Sequence, residues 1–264
     1  MEARNLVQLI REAKPRTALF TTYTLSLSFF EAVLFPVLRQ VGCRSISILV
    51  DANQAIVSLA EAHVKYAGRR YWLAPVVAPG GGVFHPKLSY LSGADVDVLA
   101  IGSGNLTSPG QSGQLETLDV VSSRTSPEVF RQFARFATGL ADKIWETSPQ
   151  AAGLLREYAQ QSERAASASK AESLRFPDVP SLISTVEHPA SAQIAALSEE
   201  AGLTLSSLTV LSPFHSPDAA PIKRLSQAVG VDSISIGLDP KKTMLRPLIS
   251  AGCKLPNRPS TFCR

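Results

Sequence analysis

The sequence predicts an α/β fold in which a mixed sheet is flanked by helices. Short apolar strands alternate with helical stretches over the first third of the chain, a pattern typical of strands that lie side by side beneath helices. Two further strands, at 84–91 and 98–101, are separated by a polar turn at Ser92–Asp95, so we expect the second to return beside the first. A third observation is that segment 229–239 repeats segment 41–51.

Local patterns predict the elements of the first part of the chain. In the second helical stretch, Ser28 and Glu31 have the spacing of a capping box, and Gly42 marks the end. Pro36 lies inside that stretch and should kink the helix, because proline has no N–H to donate. We expect strands at 17–24, 45–50 and 71–77, and further helices at 5–13 and 53–67.

The middle of the chain contains one more strand pattern and a strongly amphipathic helix. Residues 115–121 alternate as a strand, which places Glu116 on a partly apolar face. Ser126 and Pro127 then open a helix with a wide apolar stripe. Residues 148–174 are rich in Ala, Ser, Gln and Glu and contain few large apolar groups, so we expect a solvated helix or linker there.

The internal repeat indicates that the chain begins a second copy of its first half. Val41–Asp51 and Val229–Asp239 are identical at seven of eleven positions without a gap, and such self-similarity is typical of duplicated folds. We therefore expect a first half at 1–147, a helical linker at 148–205 and an incomplete second half at 206–264.

Composition and charge narrow the classes of function. With 45% hydrophobic and 18% charged residues, the chain resembles an ordinary globular protein. No apolar run reaches the ~18 residues that a membrane-spanning helix needs, and the first residues lack the order of a secretory signal. The three cysteines have no CxxC spacing, so we expect a cytoplasmic protein without a metal site. A net charge of +4 is compatible with a polyanionic partner.

One stretch concentrates the groups that could act on a phosphoryl group. His85 and Lys87 are two residues apart on a predicted strand, so their side chains should project from the same face. The next strand runs into Gly102-Ser103-Gly104-Asn105, where small residues allow backbone N–H groups to approach an anion. An imidazole, an ammonium, an amide and a Gly-Ser turn should therefore converge on one pocket.

At these residues the chain resembles the phospholipase D superfamily, whose signature is HxK followed after a spacer by GSxN. The resemblance extends to Glu116, since nuclease-like members carry an acidic residue after GSxN that orients the histidine. It departs at Ser92, where the fuller pattern has an aspartate; Asp95 and Asp97 are nearby. The offset of the repeat would place a second HxK near residue 273, beyond the printed sequence, so the second half of the site is expected to be truncated.

The resemblance implies metal-independent hydrolysis of phosphodiesters, with nucleic acid as the leading substrate and no cofactor. His85 would form a phosphohistidine intermediate, and Glu116 would hold its other ring nitrogen. Lys87, Asn105 and the Gly102–Gly104 backbone, including Ser103, would bind the phosphate oxygens. A homodimer or a missing C-terminal half would complete the site. One alternative is a non-catalytic phosphate- or nucleic-acid-binding module, or an inactive fragment of a longer two-copy enzyme. A phospholipid phosphodiesterase ranks third, because the sequence shows no amphipathic membrane helix and no apolar surface loop.

The other histidines and the basic pairs are weaker candidates. We expect His63 on a helix surface and His188 in a loop, whereas His215 follows a strand, where sheets often place pocket residues. Paired basic residues indicate either a solvated surface or a nucleic-acid-binding rim. These pairs are Arg69–Arg70, Lys223–Arg224 and Lys241–Lys242.

Overall fold

A computed structural model describes residues 5–61, 64–113, 116–170, 180–211 and 218–237. The chain forms two compact units, which comprise residues 1–182 and 183–264. Several residues of the sequence analysis lie outside the described part: Leu115, His63, His215, Lys241–Lys242, Cys253 and Cys263.

The first unit is built on a six-stranded mixed sheet, which confirms the predicted fold class. The strand order is β3-β2-β1-β4-β5-β6, in which β1, β2 and β3 are parallel and β4, β5 and β6 are antiparallel to their neighbours. The strands are β1 Thr17–Thr22, β2 Ser45–Asp51, β3 Trp72–Val76, β4 Leu88–Ser92, β5 Asp97–Gly102 and β6 Leu118–Ser122. The pair expected on either side of the turn at Ser92–Asp95 is β4 and β5, although β4 begins at Leu88 and not at Phe84.

Helices cover both faces of this sheet. Because side chains alternate along a strand, Phe20 and Ile48 pack with the helices of the first forty residues, whereas Tyr90 stacks on Phe133 on the opposite face. The helices of the first unit are α1 Leu6–Ala13, α2 Leu27–Phe29, α3 Phe35–Gln40, α4 Ala52–Leu59, α5 Pro127–Ile144 and α6 Pro149–Ala168. None of the helices in the described ranges is long and apolar enough to cross a membrane.

The predicted second helix is irregular, and its cap differs from the prediction. Ser26, not Ser28, caps α2 by accepting a hydrogen bond from the Phe29 N–H. Between α2 and α3 the chain makes a π-helical turn, Phe30–Leu34. Pro36 lies just beyond this wider turn, in the first turn of α3. At that position a helix needs no N–H donor, so proline breaks no hydrogen bond there.

Glu31 and the following helix also differ from the sequence-based expectation. The Glu31 carboxylate accepts hydrogen bonds from the Lys65 and Tyr66 backbone N–H groups and from the Tyr71 hydroxyl, so it anchors a distant turn and closes no capping box. The helix predicted at 53–67 is shorter, since α4 ends at Leu59.

The expectation of a solvated helix or linker at 148–174 is wrong for residues 149–168. Helix α6 packs against α5 and buries small residues together with Leu155 and Tyr158. The Ser162 hydroxyl donates to the Phe130 carbonyl oxygen of α5 at 2.8 Å. Small side chains such as alanine and serine allow two helices to pack against each other. A helix with few large apolar groups can therefore still have a buried face.

The second unit contains a small parallel sheet with two helices. Strands β7 (Ser207–Leu211) and β8 (Ser233–Gly237) pair in parallel, and the described part of the unit also contains helices α7 (Ala190–Glu200) and α8 (Ala220–Val229). Strand β8 begins at Ser233, the repeat counterpart of Ser45, which begins β2. The parallel β1–β2 and β7–β8 pairs are therefore equivalent, while the division at 1–147, 148–205 and 206–264 stays a prediction.

If α6 is an integral part of the first unit, Leu155→Ala should lower the free energy of unfolding by about 2–5 kcal/mol, because the side chain is fully buried. Gln160→Ala, at an exposed position of the same helix, is the matched control and should change it by less than about 0.5 kcal/mol. Urea unfolding measures both. A Leu155→Ala variant as stable as the control would return α6 to the role of a linker.

Candidate active site

His85 and Lys87 lie on the extended segment that leads into β4, not on the strand itself. The ladder with β1 begins only at Leu88, because Pro86 has no N–H to contribute. Thr21 takes over the connection: its hydroxyl donates to the Pro86 carbonyl oxygen at 3.1 Å and accepts from the Leu88 N–H at 3.0 Å. The residues on either side of Lys87 are thus fixed to the end of β1.

The Lys87 ammonium lies against the His85 side chain. Its Nζ is 2.9 Å from Nδ1 of the ring and 3.1 Å from the His85 carbonyl oxygen. Nε2 of the ring is also close, at 3.3 Å, so either tautomer of a neutral ring presents an unprotonated nitrogen to the ammonium, which can only donate. Partial burial and the Lys87 charge lower the pKa of His85 below its usual range. The imidazole is therefore neutral at neutral pH, the form that can act as a nucleophile or base.

An aromatic ring that the sequence analysis missed lies beside this histidine. Tyr23 follows β1, and its ring centroid is 4.7 Å from that of His85, at an interplanar angle of 39°. Strand ends of α/β sheets line pockets, so the position of Tyr23 after β1 was an available signal. The contact restricts the orientation of an otherwise exposed imidazole.

The sequence analysis also missed Asp51, which holds the segment that carries His85. It ends β2 and is buried, and its carboxylate accepts hydrogen bonds from the Phe84 N–H at 3.0 Å and the Asn53 N–H at 3.1 Å. The Asp51 charge acts on His85 in the opposite sense to Lys87, since it raises the pKa of the ring. This carboxylate thus holds the backbone beside His85 in place.

Asn105 is held by the chain segment that carries Tyr23. Its Oδ1 accepts hydrogen bonds from the Thr24 N–H at 3.2 Å and the Thr22 hydroxyl at 3.3 Å. A backbone N–H can only donate, so this contact identifies the oxygen of the amide and leaves the Nδ2 protons as its donors. The Thr22 hydroxyl also accepts from the Leu106 N–H at 3.1 Å, which ties down the residue after Asn105.

Close packing accounts for the glycines of the GSxN turn. A Cβ at Gly102 would collide with the Thr117 carbonyl oxygen, and one at Gly104 with the Gly110 carbonyl oxygen. The Gly102 N–H donates to the Lys87 carbonyl oxygen at 3.0 Å, and the Ser103 N–H donates to that of Thr117 at 3.1 Å. These two N–H groups are occupied within the protein, so the phosphate-binding role expected of Gly102 and Ser103 cannot come from their amides in this arrangement.

Glu116 lies just before β6 and contacts Ser103, not the His85 ring. The Ser103 hydroxyl donates to Glu116 Oε2 and accepts from the Thr117 N–H at 2.9 Å. Glu116 also affects Lys87: partial burial lowers the pKa of Lys87, and the Glu116 charge opposes that effect. The carboxylate therefore orders the GSxN turn and attracts the ammonium.

Ser92, the position at which the sequence departs from the fuller pattern, lies beside an aspartate of the neighbouring strand. Ser92 of β4 is directly opposite Asp97 of β5, and its hydroxyl donates to the Asp97 carboxylate at 3.0 Å. The Tyr90 hydroxyl also donates to this buried carboxylate, and the Ser123 hydroxyl accepts from the Asp97 N–H at 3.0 Å. Burial raises the pKa of Asp97. Asp97 thus joins β4 through its carboxylate and the end of β6 through its backbone N–H.

The structure brings the predicted residues to one edge of the sheet. His85 contacts Lys87 directly, the Lys87 carbonyl holds Gly102, and Ser103 holds Glu116. The segment Thr22–Thr24 joins the two signatures, because Tyr23 packs on His85 while its neighbours hold Asn105. Within the described ranges, no three His, Cys, Asp or Glu side chains come together as a potential metal site.

Comparisons with known proteins find similarity only among solved structures. No protein-family profile matches the sequence, and no curated protein matches it significantly. Yeast tyrosyl-DNA phosphodiesterase is similar over 60% of this chain and 38% of its own length, with 14% identity and a TM-score of 0.44. Nuc from Salmonella typhimurium, a phospholipase D family member, is similar over 54% of this chain and 85% of its own, with 17% identity and a TM-score of 0.38. NucT from Helicobacter pylori is similar over 44% and 74%, with 14% identity and a TM-score of 0.32.

Replacing Lys87 by Met should raise the pKa of His85, because the nearby positive charge disfavours the imidazolium. Partial burial, the larger cause of the lowering, persists, so the pKa should stay below the ordinary value. An NMR titration of the histidine ring protons, assigned with His85→Ala, measures this. Lys143→Met, an exposed lysine of α5, is the control. An unchanged His85 pKa in Lys87→Met, or an equal rise in the control, would show that the contact has no electrostatic effect.

Proposed function

We propose that this chain hydrolyses phosphodiesters, with nucleic acid as the substrate class. The observation that carries the proposal is the contact between the Lys87 ammonium and a neutral His85 ring, beside an Asn105 amide that is oriented to donate. A nucleophile, a cation and a hydrogen-bond donor at one sheet edge are the groups that phosphoryl transfer requires.

In the proposed reaction, a ring nitrogen of His85 attacks phosphorus. A P–N bond forms while one P–O bond breaks, and the departing oxygen takes a proton from a general acid. Water then attacks the phosphohistidine, the P–N bond breaks, and the histidine is restored. Lys87 and the Asn105 Nδ2 group would bind the non-bridging oxygens and stabilise the negative charge that develops on them.

Glu116 and Tyr23 would act as positioning residues. Glu116 would keep the Ser103 turn ordered and the Lys87 ammonium in the site, while Tyr23 would limit rotation of the His85 ring. Such fixed geometry matters because small misplacements of a catalytic group cost large factors in rate. This differs from the role that the family resemblance implies for Glu116, a direct hydrogen bond to the histidine.

The proposed reaction needs a second proton-transfer group on the far side of phosphorus. A second copy of the chain could supply it, since a two-fold axis through the pocket would place His85 of each copy on opposite sides of the phosphate. A second HxK half carried by the same polypeptide is the other source. In this proposal Lys87 and Asn105 stabilise the negative charge of the transition state, so the reaction requires no metal ion.

His85→Ala should lower the rate of hydrolysis of a chromogenic phosphodiester by at least about 10³-fold, because it removes the nucleophile. The fold should persist, since the side chain is exposed, and circular dichroism with thermal unfolding checks this. His188→Ala, another exposed histidine, is the control and should retain full activity. The assay is run in excess EDTA, where hydrolysis should continue.

Two results would contradict the proposal. Full activity in His85→Ala would assign the chemistry to other residues. A wild-type chain that binds the diester through His85 and Lys87 but never hydrolyses it, alone or as a dimer, would show a non-catalytic phosphate-binding module.

A further inference from the structure

The edge of the sheet opposite His85 is lined with arginines. Arg16 immediately precedes β1, Arg44 immediately precedes β2, and Arg70 lies two residues before β3. Because these three strands are parallel, their first residues meet at one edge. His85 is at the other edge, where Tyr23 follows the last residue of β1.

Backbone hydrogen bonds fix the spacing of these arginines. The Arg44 N–H donates to the Arg16 carbonyl oxygen at 2.8 Å, and the Arg16 N–H donates to that of Ser92 at 2.7 Å. Arg70 lies in the turn that leads into β3, where its N–H donates to the Tyr66 carbonyl oxygen at 2.9 Å. Since neighbouring strands lie about 4.8 Å apart, these arginines form a short row along this end of the sheet.

Three more cations extend this row, and all six are exposed. Lys14 ends α1, Arg69 lies beside Arg70, and Arg39 donates to the Cys43 carbonyl oxygen at 3.3 Å, next to Arg44. We call this set the cationic edge: Lys14, Arg16, Arg39, Arg44, Arg69 and Arg70.

The cationic edge has an excess of uncompensated charge. Carboxylates lie on adjoining segments at Glu12, Asp95 and Glu31, and the last already binds two backbone N–H groups and a hydroxyl. Helix α6, whose Gln161 accepts a hydrogen bond from Thr17, adds Glu157 and Glu163. The ion pairs between described residues are on α5 and α6, where Glu128 and Asp142 bind their partners, so none involves the edge. Six like charges on fixed backbone repel one another, and a bound polyanion would relieve that repulsion.

Two aromatic side chains indicate which polyanion fits. Trp72 begins β3 beside Arg70 and is 53% exposed, and Tyr66, which stacks on Phe35, is 39% exposed. Large exposed aromatics next to cations are typical of surfaces that bind unpaired bases, because a base can stack on the ring while the cations hold the phosphates. An acidic protein segment would use the cations but not the aromatic faces.

We infer that the cationic edge binds the backbone of single-stranded nucleic acid, with Trp72 stacking on an unpaired base. The inference rests on the proposed function for its substrate class, and it adds a second contact region remote from His85. Six residues of β1 separate the two edges, about 20 Å at ~3.3 Å per residue. A strand that touches both edges and keeps the ~3.4 Å rise of stacked bases then spans about six nucleotides.

The test measures binding of a fluorescein-labelled oligothymidylate, long enough to reach both edges, to the full chain carrying His85→Ala, which prevents cleavage. Adding Arg16→Gln and Arg44→Gln should weaken binding about tenfold at low salt. Because two phosphate contacts are lost, at ~0.7 each for a single strand, the slope of log K against log salt should become shallower by about 1.4. Arg135→Gln with Lys143→Gln removes the same charge from α5 and should leave both quantities nearly unchanged.

Tryptophan fluorescence tests the stacking directly. The chain has two tryptophans, Trp72 and Trp145, so Trp145→Phe leaves Trp72 as the single reporter. Oligothymidylate should quench the Trp72 fluorescence, and the Arg16→Gln, Arg44→Gln pair should shift the quenching to higher oligonucleotide concentrations.

Two controls accompany these variants. Thermal unfolding checks that each variant is folded. The Arg16→Lys, Arg44→Lys pair keeps the charge and should bind oligothymidylate close to normally.

The outcomes separate this inference from the proposed function. Unchanged binding in the glutamine pair, or an equal loss in the α5 control, would overturn the inference, as would poly-glutamate that competes as well as the oligonucleotide. Hydrolysis of a small chromogenic diester by chains with intact His85 should be the same with or without the edge substitutions. If the wild-type chain does not hydrolyse the diester but still binds the oligonucleotide through the cationic edge, only the proposed function is overturned.

Discussion

The carboxyl end of β1 holds the candidate site together. Thr21 binds the backbone on both sides of Lys87, Thr22 and Thr24 hold the Asn105 amide, and Tyr23 packs against the His85 ring. Four consecutive residues therefore join two signatures that are distant in the sequence. Because β1 is a central strand that pairs with β2 and β4, this end is held from both sides, which suits residues that must keep their geometry during a reaction.

The two edges of the sheet differ in their electrostatics. At the His85 edge, burial and a single ammonium keep an imidazole neutral, while Asp51 and Glu116 add negative charge nearby. At the opposite edge, exposed arginines precede the strands, and none of them forms an ion pair with another described residue. A site of the first kind is suited to the chemistry of one phosphate, whereas the second is suited to attraction along a polyanion. The mild basicity of the whole chain gives no sign of this separation.

Much of the fold was predictable, because strand and helix periodicity report which residues face a core. Residues that alternate, such as those of β2 and β5, are strands in the structure, and Ser45 and Ser233 begin equivalent strands. The errors arose where small residues or side-chain anchors decided the outcome. Helix α6 buries alanine and serine, which composition marks as solvated, and Glu31 caps a distant turn and not its own helix.

The candidate site was predictable in its residue types but not in all its contacts. Spacing along an extended segment was sufficient to place His85 beside Lys87. No local pattern could show that Glu116 binds Ser103, that Asp97 stands opposite Ser92, or that Gly102 is required by the Thr117 carbonyl. These contacts join residues from different strands, so they depend on which residues of neighbouring strands lie opposite each other. A single sequence does not specify this register at the ends of the strands.

The central claim is that His85 attacks phosphorus, and a trapped intermediate tests it most directly. The wild-type chain would be mixed with a phosphodiester, denatured at high pH, where phosphohistidine survives, and analysed by peptide mass spectrometry. The account predicts a phosphoryl adduct on the peptide that contains His85, formed at least as fast as turnover, and no adduct in His85→Ala. Steady hydrolysis without any adduct on that peptide, unaffected by His85→Ala, would contradict it.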